Sequence, residues 1–167
     1  MALVIVEVPP QRLAGVRGVV PSSFSEDATS ADDLIQELWA RLRDVLGAEL
    51  VSSEPDFIGV TTPYDDHVPP KRIQFVAAIS IPDSFPIQAE LEEVALIGGT
   101  YAVFAYEGPG DGLDDFYRKT YLEELPASDW RSRDGQHLEK VLPGSTNHNF
   151  KVEAWVPVEL KTGDDVD

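Results

Sequence analysis

The stretch "GGTYAVFAYEGPGDG", Gly98–Gly112, determines the fold expected for the second half of this chain. Its middle part, 100–106, is rich in aromatic and β-branched residues, which favour a β-strand. The paired glycines before it and the Gly- and Pro-rich segment after it interrupt regular structure on both sides. We therefore predict a strand at 100–106, preceded by a short strand at 92–97.

A helix is predicted directly after this strand, from about Leu113 to Glu124. It ends before Pro126, because the residue that precedes a proline disfavours the helical conformation. Two further strands, around 137–142 and 151–159, give the second half the order strand, helix, strand, strand. The apolar stripe of the helix recurs at helical spacing and consists of Leu113, Phe116, Tyr117, Thr120, Tyr121 and Leu125.

The first half shows the same order of elements, with Pro9-Pro10 in the place of the paired glycines. We predict strands at 3–8, 12–20, 57–61 and 73–81, and a helix from about Ala31 to Leu46 that ends at Gly47. The helix would bury Leu34, Leu38, Leu42, Val45, Trp39 and Leu46. The halves share a pattern rather than residues.

These patterns predict an α+β fold made of two strand-helix-strand-strand units, with an antiparallel sheet and two helices. We expect a single domain over 1–160, with pseudo-repeats at about 1–82 and 90–160. The last residues, 161–167, read as an acidic disordered tail.

The chain is strongly acidic, with 30 Asp and Glu against 13 Lys and Arg and a formal net charge of −17. Such a surface repels nucleic acid and anionic membranes and attracts cations. We therefore expect no direct contact with nucleic acid and no membrane association. Adaptation to a saline cytoplasm and ordinary solubility both explain the acidity.

The chain contains no cysteine, which excludes disulfides and thiolate zinc sites. It has no basic leader and no apolar run long enough to span a bilayer, so we expect a cytoplasmic protein. The sequence "DDH" at 65–67 is the nearest approach to a metal motif, but ligand spacing is missing. We therefore predict no metal and no cofactor.

The stretch "HLEKVLP", His137–Pro143, has two mixed faces when it is read as a strand. Alternation puts His137, Glu139 and Val141 on one face, and Leu138, Lys140 and Leu142 on the other. Glu139 is therefore either a solvated edge residue or a carboxylate that points into a site.

Several ordered motifs resemble the GyrI-like small-molecule-binding domains, which also form the effector-binding halves of AraC-type and MerR-type regulators. The motifs cover nearly the whole chain in the order of that family. They are "VPPQRLAGVRG" (8–18), "ELW" (37–39), "IGV" (58–60), "YDD" (64–66), "IGGTYAVFAYEGP" (97–109), "YLEELPASDW" (121–130), "LEKV" (138–141) and "EAWVPV" (153–158).

The resemblance implies two units related by a pseudo-two-fold, with a central ligand cleft between them. It places Glu139 in that cleft, facing the positive charge of a ligand, with Val141 beside it. It also places Glu153 and Trp155 on the cleft side. Aromatic residues from segments at the cleft rim complete the expected ligand-binding set, namely Tyr64, Tyr101, Phe104 and Trp130. Because side chains alternate along a strand, Tyr101 and Phe104 cannot both face inward.

Three functions follow from this resemblance. The first is a stand-alone protein, monomer or homodimer, that sequesters or senses a small cationic or amphipathic aromatic compound. The second is a hydrolase of strained electrophilic compounds, in which Glu139 would be the catalytic acid or base. The third is a protein-interaction module, as in the gyrase-inhibitory members of the family. The standard hydrolase and phosphate-loop motifs are missing, so the binding protein is the first expectation.

Overall fold

The computed structural model describes residues 3–22, 28–52, 56–66, 70–81, 86–146 and 148–163. In chain order its elements are β1 (Val4–Val8), β2 (Gln11–Pro21), α1 (Ala28–Ser52), β3 (Phe57–Pro63), β4 (Arg72–Ser80), β5 (Glu92–Leu96), β6 (Gly99–Gly108), a 3-10 turn (Gly110–Gly112), α2 (Leu113–Lys119), a π-helical turn (Thr120–Glu124), β7 (Trp130–Ser132), β8 (His137–Val141) and β9 (Phe150–Leu160).

The chain divides into two compact units. We call Pro10–Ile97 the middle unit, and Met1–Pro9 together with Gly98–Asp167 the terminal unit. These units differ from the pseudo-repeats expected at about 1–82 and 90–160. The reason is strand pairing, because β1 pairs with β6 of the second half and β5 pairs with β2 of the first. The assignment of 1–160 to a single domain stays a prediction.

The middle unit is an antiparallel arrangement in the order β5-β2-β4-β3, with α1 packed against β2 and β4. Trp39 of α1 is buried and meets two rings edge-on, those of Phe57 at 6.1 Å and Phe75 at 6.0 Å between centroids. Gly47 interrupts α1 with a φ of 79° where the sequence predicts the end of the helix, but helical structure resumes after it and continues to Ser52. Leu34 was expected in the core, but 38% of its surface is exposed.

The terminal unit is organised around β9, which is paired along both edges. One edge pairs with β6, which in turn pairs with β1, and the other edge pairs with β8 and then with β7. The three-residue strand β7 was not predicted, since so short a segment carries no periodic signal. α2 packs against β6.

The α+β class and the antiparallel pairing of the strands are confirmed. The predicted helix at 113–124 is present but changes type, from α-helix to π-helix, at Thr120. The pseudo-two-fold, the central cleft and the disordered tail stay predictions, and residues 164–167 of the tail lie outside the described residues.

We expect Gly15→Ala to destabilise the middle unit. A Cβ at this position would lie 2.4 Å from the carbonyl oxygen of Ala77 and 2.9 Å from the Cα of Ala78, so the pairing of β2 with β4 must shift. Overpacking of this kind costs about 1–3 kcal/mol. Gly163→Ala is the control, since nothing lies within 4 Å of its Cβ. Urea unfolding measures both variants, and equal stability of the two would contradict the close packing at Gly15.

Candidate functional site

The candidate site is built on one face of the terminal unit. Phe104 of β6 and Glu139 of β8 both lie directly opposite Ala154 of β9, so the three residues share a face. We call this the helix-side face, because α2 and the π-helical turn pack on it. Its apolar cluster combines buried residues with partly buried ones, namely Ala102, Phe104, Leu125, Ala154, Val156 and Val158 with Leu3, Ile5, Phe116, Tyr117, Tyr121 and Trp130.

A hydrogen bond joins the helix to Glu139. The hydroxyl of Tyr117, on α2, donates to Oε2 of Glu139, on β8. Neither side chain is fully exposed. Because a carboxylate is costly to withdraw from water without a donor, the phenol offsets part of that cost.

A second polar pair lies beside the first. The hydroxyl of Tyr121 is 2.6 Å from Nδ1 of His137, and the two rings are 5.6 Å apart between centroids. Tyr117 and Tyr121 are four residues apart on the helix, and His137 and Glu139 are two residues apart on the strand. Both spacings place the paired side chains on one face, so the helix presents two phenols to a histidine and a carboxylate.

Three of these four groups are uncharged at neutral pH, and burial moves the pKa of each of them further from 7. It raises the pKa of Tyr117 well above its usual value, and the charge of Glu139 and its hydrogen bond add to this effect. The pKa of Tyr121 is raised by burial and then by the charge of Glu139. The pKa of His137 is lowered to about 4 by burial and by the positive charge of Arg133. The site therefore consists of neutral hydrogen-bonding groups around one carboxyl group.

Aromatic rings enclose the helical side of the site. The ring of Phe116 lies 5.2 Å from that of Tyr117 and 5.2 Å from that of Tyr106, measured between centroids. The Gly-rich segment makes this packing possible, since a Cβ at Gly112 would lie 2.4 Å from the hydroxyl of Tyr106. Pro109 accepts a hydrogen bond from that hydroxyl, at 2.5 Å. The segment that looked only like a turn also shapes the aromatic wall.

The helix widens where it carries Tyr121. The amide of Leu125 donates to the carbonyl of Thr120 at 3.0 Å, which is the spacing of a π-helix. Within the described residues, the buried hydroxyl of Thr120 has no hydrogen-bond partner. π-Helical turns occur frequently at functional sites.

The residues predicted to line one wall are divided between two faces. Glu139, Phe104, Val141 and Trp130 belong to the helix-side face, by register or by packing. Trp155 lies directly opposite Val103 and Leu138, so it belongs to the opposite face, as does Glu153. A single wall containing Glu139, Glu153 and Trp155 is therefore wrong, because successive residues of a strand point to opposite sides.

Tyr101 lies on the opposite face with Trp155, at 6.4 Å between ring centroids. Its exposed fraction is only 1%, its hydroxyl donates to the carbonyl of Gln136 at 2.8 Å, and the guanidinium of Arg133 lies 5.4 Å from its ring centroid. Burial raises the pKa of Tyr101, although Arg133 works in the other direction. Tyr101 and Phe104 therefore face opposite sides, as alternation requires.

Tyr64 belongs to the middle unit, with 52% of its surface exposed and Arg72 5.0 Å from its ring centroid. Asp65 accepts hydrogen bonds from the amides of Lys71 and Arg72, at 3.2 and 2.8 Å. His67 lies outside the described residues. In the part of the chain that is described, no three residues of the metal-ligating types come together.

Sequence reasoning missed Tyr117, Tyr121 and His137 as site residues. Both tyrosines were placed on the apolar stripe of the helix, and His137 was placed on the same face as Glu139. The apolar stripe of the helix and this face of β8 together hold all four residues of the site. What was missing was the packing of that stripe against that face of β8.

Three comparisons with known proteins bear on this geometry. A family model for the GyrI-like small molecule binding domain matches residues 1–159. The chain is 34% identical over 71 residues to the transcriptional regulator Rob of Salmonella typhimurium, which is 39% of this chain and 25% of the regulator. The match therefore spans about a quarter of that relative's length.

Two solved structures share the fold. SAV2435 bound to tetraphenylphosphonium gives a TM-score of 0.72 at 15% identity, covering 95% of this chain and 94% of that one. A hydrolase from Listeria innocua gives a TM-score of 0.55 at 14% identity, covering 94% of this chain and 91% of that one.

Among the described residues, no helix has both the length and the apolar character that crossing a membrane requires.

We predict that His137 makes the fold less stable in acid. Because its pKa is 6.5 when unfolded and about 4 when folded, the unfolded chain binds the proton more tightly. Stability should therefore fall as the pH drops from about 6.5 to 4, by at most about 3 kcal/mol, and then level off. Urea unfolding between pH 4 and 7 should show a shallower slope for His137→Gln than for the wild type.

The matched control for this experiment is His148→Gln, since His148 is exposed. The pH slope of this variant should follow the wild type. Equal slopes for the wild type and His137→Gln would contradict the burial of a neutral histidine beside Tyr121.

Proposed function

The chain belongs to the GyrI-like family of small-molecule-binding domains, and from this premise we propose that it binds lipophilic organic cations at Glu139. The resemblance noted in the sequence is confirmed, as is a role in binding small molecules at the level of the family. The choice of cations rests on one observation above all. Glu139 is a carboxyl group held among neutral phenols and an apolar cluster.

The chemistry of the helix-side face suits a delocalised cation. Such an ion is weakly hydrated, so it gains from contact with aromatic faces and from a nearby carboxylate together. The hydroxyl of Tyr117 donates to the carboxyl group that a cation would approach. A bound cation would balance the negative charge of the Glu139 carboxylate, which the hydrogen bond from the phenol compensates only in part. SAV2435, which shares the fold, has been solved with tetraphenylphosphonium bound.

The protein would then sequester or sense such compounds. Its cytoplasmic location, its state as monomer or homodimer and any protein partner stay predictions. The family relationship to Rob extends over only part of that regulator, so its regulatory activity does not transfer to this chain.

A pair of matched ions tests the proposal. Tetraphenylphosphonium and tetraphenylborate have nearly the same shape and opposite charge. We expect the wild type to bind the cation more tightly in isothermal titration calorimetry. Glu139→Gln should lower the affinity for the cation about tenfold, since it removes a nearby opposite charge and keeps the shape. The affinity for the anion should not fall.

Glu123→Gln is the control for net charge, because Glu123 is exposed on the π-helical turn. It should behave as the wild type. Equal affinities of the wild type for the two ions, or the same loss in Glu123→Gln as in Glu139→Gln, would reject Glu139 as the cation-binding group.

The contact between Tyr117 and Glu139 also favours a second candidate function, the hydrolysis of a strained electrophile. A phenol beside a carboxylate offers a proton donor next to a proton acceptor. Glu139 would take a proton from water as the water oxygen bonds to a ring carbon. The ring bond would break, and the atom left with its electron pair, a carbon in a cyclopropane or an oxygen in an epoxide, would take the proton of the Tyr117 hydroxyl. Glu139 would then return to Tyr117 the proton that it took from water. A solved structure of the same fold is described as a hydrolase.

Mass spectrometry separates hydrolysis from simple binding. We expect cyclopropane- and epoxide-bearing compounds to be recovered unchanged after incubation with the wild type. The addition of one water, lost in Glu139→Gln while the compound still binds, would establish the hydrolase in its place. Tyr117→Phe would then slow the reaction as well, because it removes the phenol that contacts Glu139.

A further inference from the structure

The opposite face of the terminal unit holds a second arrangement of charge and aromatic rings. Nζ of Lys140, on β8, lies 4.1 Å from the ring centroid of Trp155, on β9. Lys140 is directly opposite Glu153 in the strand register. Glu153 nevertheless contacts the tryptophan instead, accepting a hydrogen bond from its indole nitrogen at 3.4 Å. The ring and the carboxylate thus lie side by side, with an ammonium group over the ring.

Two cationic side chains lie over the neighbouring rings of Tyr101 and Trp155, and they are held differently. Arg133 lies over Tyr101 and donates hydrogen bonds to several backbone carbonyls, including those of Thr100 at 3.1 Å and Val158 at 3.2 Å. Within the described residues, the side chain of Lys140 makes neither a hydrogen bond nor an ion pair, and its ammonium group lies over the tryptophan ring. Its four-carbon stem is flexible. Lys140 is therefore the cation that another could replace.

We propose that Trp155 and Glu153 form a second cation site, for quaternary alkylammonium groups, and that such a group displaces Lys140 from the ring. A quaternary ammonium suits the face of a tryptophan better than a primary ammonium does, because it is less strongly hydrated and still interacts with the ring quadrupole. Glu153 supplies the negative charge beside the ring. The strand register separates this site from Glu139, so the proposal does not depend on the function proposed for the helix-side face.

The proposal makes Lys140 an internal competitor of the ligand. Removing its charge while keeping its length, as in Lys140→Met, should free the ring and abolish the repulsion of an incoming cation. Lys140 and Trp155 are only partly buried, and a cation–π contact of this kind is modest. We therefore expect choline to bind about fivefold more tightly to Lys140→Met than to the wild type. The neutral isostere 3,3-dimethyl-1-butanol should bind to neither.

The measurement is the chemical shift of the Trp155 indole N–H during a titration, with the signal assigned by its loss in Trp155→Phe. Lys71→Met is the matched control, since Lys71 is exposed and lies in the middle unit. It should retain the wild-type affinity for choline. Glu153→Gln should weaken the binding of choline, whereas Glu139→Gln should leave it unchanged. If Lys140→Met does not fold, Lys140→Gln takes its place.

Choline affinity that is the same in the wild type and in the charge-removed variant would overturn the proposal, as would an equal response to the neutral isostere. Loss of choline binding in Glu139→Gln would also overturn it, because both effects would then belong to one site. The two proposals fail separately, since tetraphenylphosphonium tests the Glu139 site and the Trp155 signal reports on the second one.

Discussion

The register of β8 against β9 determines which side chains of the terminal unit can act together. Because Glu139 lies directly opposite Ala154, it shares a face with Phe104 and points toward the helix. Because Lys140 lies directly opposite Glu153, those residues share the other face with Trp155. A shift of one residue would exchange the two sets. Each face thus has its own acid and its own aromatic rings, and only one of them is covered by tyrosines from the helix.

On the helix-side face, packing and electrostatics are linked, because burial is the largest cause of the pKa shifts of three polar groups. Burial makes the phenols of Tyr117 and Tyr121 weaker acids and the imidazole of His137 a weaker base, and all three are neutral at physiological pH. Glu139 is therefore surrounded by dipoles and apolar groups. Such an environment favours a partner that brings positive charge with little hydration to lose. The same desolvation that lowers the pKa of His137 reduces stability in acid, so the polar character of the site has a thermodynamic cost.

Much of this arrangement could be predicted from the sequence, and the part that could not has a physical cause. Periodicity placed the strands and the second helix, and the ordered motifs identified the family. Alternation correctly separated Tyr101 from Phe104. It could not show that Tyr117 reaches Glu139, because that contact depends on which face of β8 the helix covers. The placement of Trp155 beside Glu139 was wrong because of the strand register, which the motif of β9 does not reveal.

A structure of the protein with tetraphenylphosphonium bound would show directly whether Glu139 is the cation-binding group. We expect the phosphonium on the helix-side face, against the carboxylate of Glu139 and among Tyr117, Tyr121 and Phe116. The hydroxyl of Tyr117 should move or turn to admit it. A phosphonium bound elsewhere, with the hydrogen bond between Tyr117 and Glu139 unchanged, would show that Glu139 does not bind the cation.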